Sequence, residues 1–306
     1  MQKKIKIAIT QNFGFSAEQI KRLKKIGNVK FYDSNPQSPE EWLERVKGAD
    51  VICSEEFGLK ENLNNLKNVF ISYPFVALGG IDENILKKNE VILANSPGCN
   101  KEAVSEWIIN MILNLMRKFT EYVRNDNFSF ENISETPLSL KNKNITILGK
   151  GNVGVKVGEL CCAFGMNVEY FTKKDNLIDK VRKADIIVNC LSSNKSTENI
   201  LDRKFFFSLK KGSYFITITK KEIYDSDAMI KALKKGILRG VADDCGGERV
   251  GDANSNYYKK LLKYKHILAT PHIAWNSDIS IYNGNDMAIK NIEAYLSGNP
   301  INLVLK

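Results

Sequence analysis

The chain has 306 residues, 43% of them hydrophobic and 26% charged, with 45 Lys and Arg against 35 Asp and Glu. That balance predicts a globular protein of two domains and excludes a disordered or collagen-like chain; no run approaches the roughly 18 apolar residues of a membrane span. The net charge of +10 comes from lysines spread along the whole chain, with no basic block interleaved with aromatics, so neither a nucleic-acid partner nor a membrane is expected.

The opening, Met1 to Ile9, is charged and runs into a strand, which does not read as a signal peptide. Strand patterns at Ile5–Thr10, Val29–Tyr32, Val51–Cys53, Val69–Ser72 and Val91–Ala94 alternate with helical ones at Ala17–Ile26, Pro39–Val46 and Glu83–Lys88. Alternation of this kind implies a parallel sheet covered by helices. Pro97-Gly98 breaks the pattern, and apolar residues then recur at three and four positions from Ala103 to Phe119, which predicts one long amphipathic helix. Asn125–Pro137 is polar and reads as a surface loop. A second strand–helix series runs from Asn144 to about Thr270, and a last helix starts at Asp278 and ends near Ser297-Gly298. The six cysteines (Cys53, Cys99, Cys161, Cys162, Cys190, Cys245) form no C-x-x-C pair. Reduced thiols in a cytoplasmic protein, with no metal site, are expected.

The strongest motif lies where the second series begins. Ile145–Leu148 is a β-branched strand that enters Gly149-Lys150-Gly151-Asn152-Val153-Gly154, and a helical pattern follows. A G-x-G-x-x-G stretch between strand and helix fits a dinucleotide: the first glycine turns the chain, the second admits the pyrophosphate, and the third lets helix and strand approach. The next strand, Asn167–Phe171, ends in Thr172-Lys173-Lys174 and not in the acid that would take a ribose 2′-hydroxyl. Two cations there predict NADP(H) as the preferred cofactor, with NAD(H) possible.

With these motifs, the chain resembles the D-isomer-specific 2-hydroxyacid dehydrogenases over nearly its whole length. The residues that carry the resemblance are Tyr73–Asp82, Ala94–Gly98, Ala103–Trp107, Gly165-Met166, Asp185–Leu191, Gly240–Asp244 and Ala269–Trp275. It implies an α/β protein of two domains, a flavodoxin-like substrate domain (1–98 plus 276–306) with an inserted Rossmann dinucleotide-binding domain (99–275). It implies an NAD(P)H-dependent oxidoreductase that reduces a small 2-oxo acid to a D-2-hydroxy acid, or runs the reverse.

The resemblance also assigns residues. His272, one of two histidines, stands where the family's acid–base group stands, and an imidazole suits that work near neutral pH. Its carboxylate partner falls on Arg249 by direct count, and a shift of one residue in the loop gives Glu248. Asp244 would meet the nicotinamide carboxamide, with Cys190, Leu191, Thr197 and Ile218 flanking the cofactor. Backbone amides of Val76 and Ala77 would take the substrate carboxylate, and Cys53 stands where some members have arginine. The family's catalytic arginine is here Lys220, and the following glycine is Lys221. Lysine offers a point charge in place of a planar fork, which leaves two other readings open: a catalytically impaired nucleotide-binding scaffold, or a same-fold oxidoreductase with another substrate. The wide apolar stripe from Ala103 to Phe119, with the family habit, predicts a two-fold homodimer.

Overall fold

The computed structural model describes residues 4–123, 136–246 and 248–305. The polar stretch Asn125–Pro137 therefore lies outside the described residues as far as position 135. The chain divides into two compact units, residues 1–100 with 276–306, and residues 101–275.

The first unit is a parallel sheet of β1 (Lys6–Ile9), β2 (Asn28–Phe31), β3 (Val51–Cys53), β4 (Phe70–Ser72) and β5 (Ile92–Ala94), in the order β2-β1-β3-β4-β5. β3 and β4 are buried along their whole length, as strands covered on both faces must be, and this is why they read as unbroken apolar runs. The helix Ala17–Ile26 starts at a capping box in which Ser16 and Gln19 exchange hydrogen bonds. Ser38 caps Pro39–Val46, with proline in its first turn. The closing helix, Asp278–Leu296, packs Ala288, Ile289 and Ile292 with Ile7, Ile9 and Phe70. Tyr295 stacks on Phe70 with ring centroids 4.1 Å apart, and the Ser72 hydroxyl donates to the Ala288 carbonyl at 2.9 Å. That packing returns the last thirty-odd residues to the unit where the chain began.

The second unit holds six parallel strands, β6 (Asn144–Leu148), β7 (Asn167–Phe171), β8 (Ile186–Asn189), β9 (Ser213–Thr217), β10 (Leu238–Asp243) and β11 (Ile267–Ala269), in the order β11-β10-β9-β8-β6-β7. The order reverses at β6, so the crevice outside the carboxyl ends of β6 and β8 is where such a sheet takes a ligand. The helix Lys101–Arg117 buries Val104, Ile108, Ile109, Ile112 and Met116 in the core of this unit. It stops short of the expected Phe119 because Lys118 takes a left-handed backbone (φ 54) and its N–H turns back to Leu115. Phe119, now 58% exposed, opens a separate short helix, Phe119–Val123. Trp107, Met111 and Leu115 pack on the same core. The apolar stripe is thus used within its own unit, and it no longer argues for a second copy of the chain. No helix among the described residues is long and apolar enough to cross a membrane.

Candidate active site

The glycine loop follows β6 as its spacing requires. Gly149 has φ 100, and a Cβ there would press on the Cys190 carbonyl oxygen at 3.0 Å. A Cβ at Gly154 would overlap the Gly149 carbonyl, so that glycine lets the helix Asn152–Ala163 lie against the loop. At Gly151 a Cβ would meet nothing within 4 Å, so this glycine faces open space. Gly151 caps the helix without a side chain. The amides of Asn152, Val153 and Gly154 have no acceptor among the described residues. Free donors at the positive end of a helix, with room before them, fit the pyrophosphate of a dinucleotide. Lys150 is exposed, its ammonium 5.2 Å from the Tyr170 ring centroid.

At the far end of β7, Thr172 gives both its amide and its hydroxyl to Asp175, at 2.7 and 2.8 Å. Those bonds, with Lys180 at 3.8 Å, hold the Asp175 carboxyl below its usual range. Lys173 and Lys174 are exposed and have no partner among the described residues. After β8, the Leu191 amide donates to Asn189 Oδ1 at 3.2 Å, and burial pushes the Cys190 thiol up to about 12. The Thr197 hydroxyl closes its own turn onto the Ser192 carbonyl at 2.7 Å. Ile218 is half-buried just past β9.

The loop that carries His272 is closely hydrogen-bonded. His272 has a left-handed backbone, φ 56, a strained state for a residue with a Cβ, and one that tends to mark functional positions. Asp244 holds it there. Its carbonyl accepts the His272 amide at 2.7 Å, Oδ1 accepts Thr270 Oγ1 at 2.5 Å and the Ile273 amide at 2.9 Å, and Oδ2 accepts the Ala274 amide at 2.9 Å. Burial raises the Asp244 carboxyl, and these donors oppose the rise. At 2% exposure and with three donors, the Asp244 carboxylate is committed to the turn that carries His272.

Glu248 meets His272, but not as expected. His272 Nδ1 lies 2.9 Å from the Glu248 main-chain carbonyl, while the carboxylate is taken by Lys221 Nζ at 2.7 Å and Ser255 Oγ at 2.9 Å. The expected carboxylate–imidazole pair is corrected to a carbonyl–imidazole contact, because a lysine stands where the family has glycine and draws the carboxylate away. A carbonyl can only accept, so Nδ1 carries the hydrogen and Nε2 presents its lone pair. Lys221 is charged more firmly for the contact, and Glu248 is held below the usual carboxylate range by it.

Lys220 is exposed and its ammonium has no partner among the described residues. Its backbone is fixed: it bridges Gly246, and a Cβ on Gly246 would overlap the Thr219 carbonyl. Asn189 steadies the same segment by donating to Thr217 Oγ1 at 3.2 Å and Thr219 Oγ1 at 2.7 Å.

Behind the loop is a cluster that the sequence reading missed. Asp243 is fully buried and accepts both Tyr224 and Tyr257 hydroxyls at 2.7 Å and the Cys245 amide at 2.7 Å. Burial pushes its carboxyl up to about 6. The Asp243-Asp244 doublet was the available signal: neighbours at a strand end face opposite sides, so one acid serves the His272 turn and the other the core. In the first unit, the amides of Val76 and Ala77 have no acceptor among the described residues, while the Val76 carbonyl is tied to Asn95 at 2.8 Å. No group of three His, Cys, Asp or Glu side chains among the described residues could hold a metal ion.

The chain matches the family model for the D-isomer specific 2-hydroxyacid dehydrogenase, NAD binding domain, over residues 109–274. A D-lactate dehydrogenase of Staphylococcus aureus is 24% identical over 288 residues, 85% of this chain and 87% of that protein. An acyclic imino acid reductase (Bsp5) in complex with NADPH and D-Arg superposes with a TM-score of 0.84 over 98% of this chain and 100% of that one, at 23% identity. A D-lactate dehydrogenase of Treponema pallidum gives 0.82 over 99% and 100%, at 20% identity. These likenesses carry the fold, a flavodoxin-like first unit and a Rossmann dinucleotide-binding unit. The family match spans more than half of the chain, which is therefore a member of the D-isomer-specific 2-hydroxyacid dehydrogenase family, an oxidoreductase that uses a nicotinamide dinucleotide.

Proposed function

We propose that the chain reduces a small 2-oxo acid to the D-2-hydroxy acid, or runs the reverse, with NADP(H) preferred over NAD(H). The observation that carries the reading is the turn Thr270–Ala274, which holds His272 in a left-handed backbone with Nδ1 fixed and Nε2 free. The bound nicotinamide supplies or accepts the hydride. His272 handles the proton at Nε2: it removes the hydroxyl proton in oxidation, and its imidazolium returns one to the alkoxide in reduction. Asp244 acts through His272 as a positioning residue, and Glu248 fixes the ring through its carbonyl. Lys220 supplies the positive charge that polarises the carbonyl oxygen or holds the carboxylate, and a free ammonium on a fixed backbone supports that role. The unpaired amides of Val76 and Ala77 suit the substrate carboxylate.

The cofactor preference rests on Thr172-Lys173-Lys174. Asp175, the one carboxylate near the end of β7, is spent on Thr172 and Lys180, while the two lysines remain free for a 2′-phosphate. A homodimer is an expectation of the family resemblance and a cytoplasmic location one of the reduced cysteines, and light scattering tests the first. The test of the activity is a scan of 2-oxo acids with each reduced cofactor, followed at the nicotinamide absorbance band. Loss of the band with at least one acid is expected. A protein that binds cofactor and reduces none would be the nucleotide-binding scaffold.

A further inference from the structure

The first unit carries a second polar cluster at the carboxyl ends of its strands. Gln11 follows β1, Glu55 and Glu56 follow β3, and Tyr73 follows β4. β1 and β3 are the strands at which this sheet's order reverses, and parallel sheets take ligands in the crevice outside the carboxyl ends at that point. Two adjacent carboxylates there stand out in a chain of net charge +10.

Three observations indicate that the cluster holds acceptors still short of donors. Burial raises the Glu55 carboxyl, a hydrogen bond from Gln11 eases it and Glu56 worsens it, and no lysine or arginine acts on it. Gln11 is 7% exposed, and its Oε1 has no partner among the described residues. With the amide nitrogen turned to Glu55, an unpaired acceptor is left beside the carboxylates. Glu56 lies against the loop Tyr73–Asp82, so that a Cβ on Gly79 would overlap its carboxylate, and its ion-pair partner Lys60, at 3.4 Å, is half exposed. Buried acceptors without donors are costly, and the cost is recovered when a donor arrives.

We infer that this cluster recognises a cationic group, an ammonium or a guanidinium, on the far end of the 2-oxo acid. The inference rests on the reductase reading above for its substrate. A guanidinium fits best, because its planar fork can meet two carboxylates and an amide oxygen together. The free amides of Val76 and Ala77, in the loop that Glu56 touches, remain available to the substrate carboxylate. A dicarboxylate or a phosphorylated acid would meet repulsion, and Cys53 supplies no arginine to offset it.

The test uses the full chain with three acids: the guanidino 2-oxo acid derived from arginine, 2-oxohexanoate and 2-oxoglutarate. Their kcat/KM values are measured with reduced cofactor, and their affinities by calorimetry. The guanidino acid should exceed 2-oxohexanoate by about tenfold or more, the worth of a charge-assisted bond, with 2-oxoglutarate last. Glu55→Gln should bring the first ratio down toward one, which loss of fold alone would not do. Equal or better use of the neutral or dianionic acid, or a ratio that survives Glu55→Gln, overturns the inference and leaves the reductase reading intact. If no acid is reduced, that reading fails by itself and calorimetry decides the inference: tighter binding of the guanidino acid upholds it, and equal binding overturns it.

Discussion

The strand ends of the two units are bonded in opposite ways. At the ends of β8, β9 and β10, Asn189, Lys221, Asp244 and Glu248 spend their polar atoms on the chain itself, and His272 inherits a fixed ring. After β1, β3 and β4, Gln11 Oε1, the Glu55 carboxylate and the amides of Val76 and Ala77 stand short of partners. The difference teaches where organisation is useful. A group that moves a proton gains from being held still before substrate arrives, whereas a group that recognises substrate must keep its bonds to give. Lys220 and Lys221 repeat the contrast side by side, the first free and the second locked to Glu248.

That contrast can be broken at its free members and at its tied ones. Lys220→Ala should lower turnover by about 10²–10³-fold, the usual loss for a charge that stabilises a developing oxyanion, with folding unchanged. Steady-state kinetics equal to wild type would assign the lysine to the surface. Asp244→Ala removes the acceptor of three donors, and a loss of about 3 kcal/mol is expected. A urea melt should record it as a lower midpoint at constant slope, and a midpoint like that of wild type would mean the His272 turn holds itself.

A smaller effect separates by pH. The Asp243 carboxyl is raised to about 6 from 3.8, so its contribution to stability is full below the ordinary carboxylate range and is lost as pH rises through about 6. Tyr257→Phe removes a donor that favours the ionised form. The variant should be weaker by about 1–2 kcal/mol, with the gap widening as pH climbs through that value. A gap that is flat with pH would contradict the charge assignment. Smallest is the cofactor preference: NADPH over NADH by about tenfold from charge-assisted bonds at an exposed site, erased by joint replacement of Lys173 and Lys174 with alanine. Direct titration of both cofactors measures it, and equal affinity in the wild type would end the argument from these lysines.

Much of the fold was legible in the sequence, because strand ends and glycine spacing are local. β6, the loop Gly149–Gly154 and the helix after it follow from one unbroken stretch, residues 144–163, and β3 and β4 from short apolar runs. The end of helix 101–117 was read two residues late, since the left-handed turn at Lys118 leaves no mark on apolar periodicity. The site was legible in its members more than in its contacts. Counting along the loop reached Glu248 but assigned its carboxylate to His272, because Lys221 lies 27 residues away in sequence and its competition for that carboxylate exists only once β9 and β10 are paired. The Tyr224–Asp243–Tyr257 cluster was hidden for the same reason. Gln11 and Glu55 come together only through the β1–β3 crossing.

In the proposed reaction His272 moves the proton from a preformed turn. The direct measurement is single-turnover hydride transfer, wild type against His272→Asn, with cofactor affinity titrated in both. The rate should fall by about 10²–10⁴-fold, the worth of general acid–base catalysis, while cofactor affinity is unchanged. Equal rates in the two proteins, or a wild type that binds cofactor and transfers no hydride to any 2-oxo acid, would contradict it.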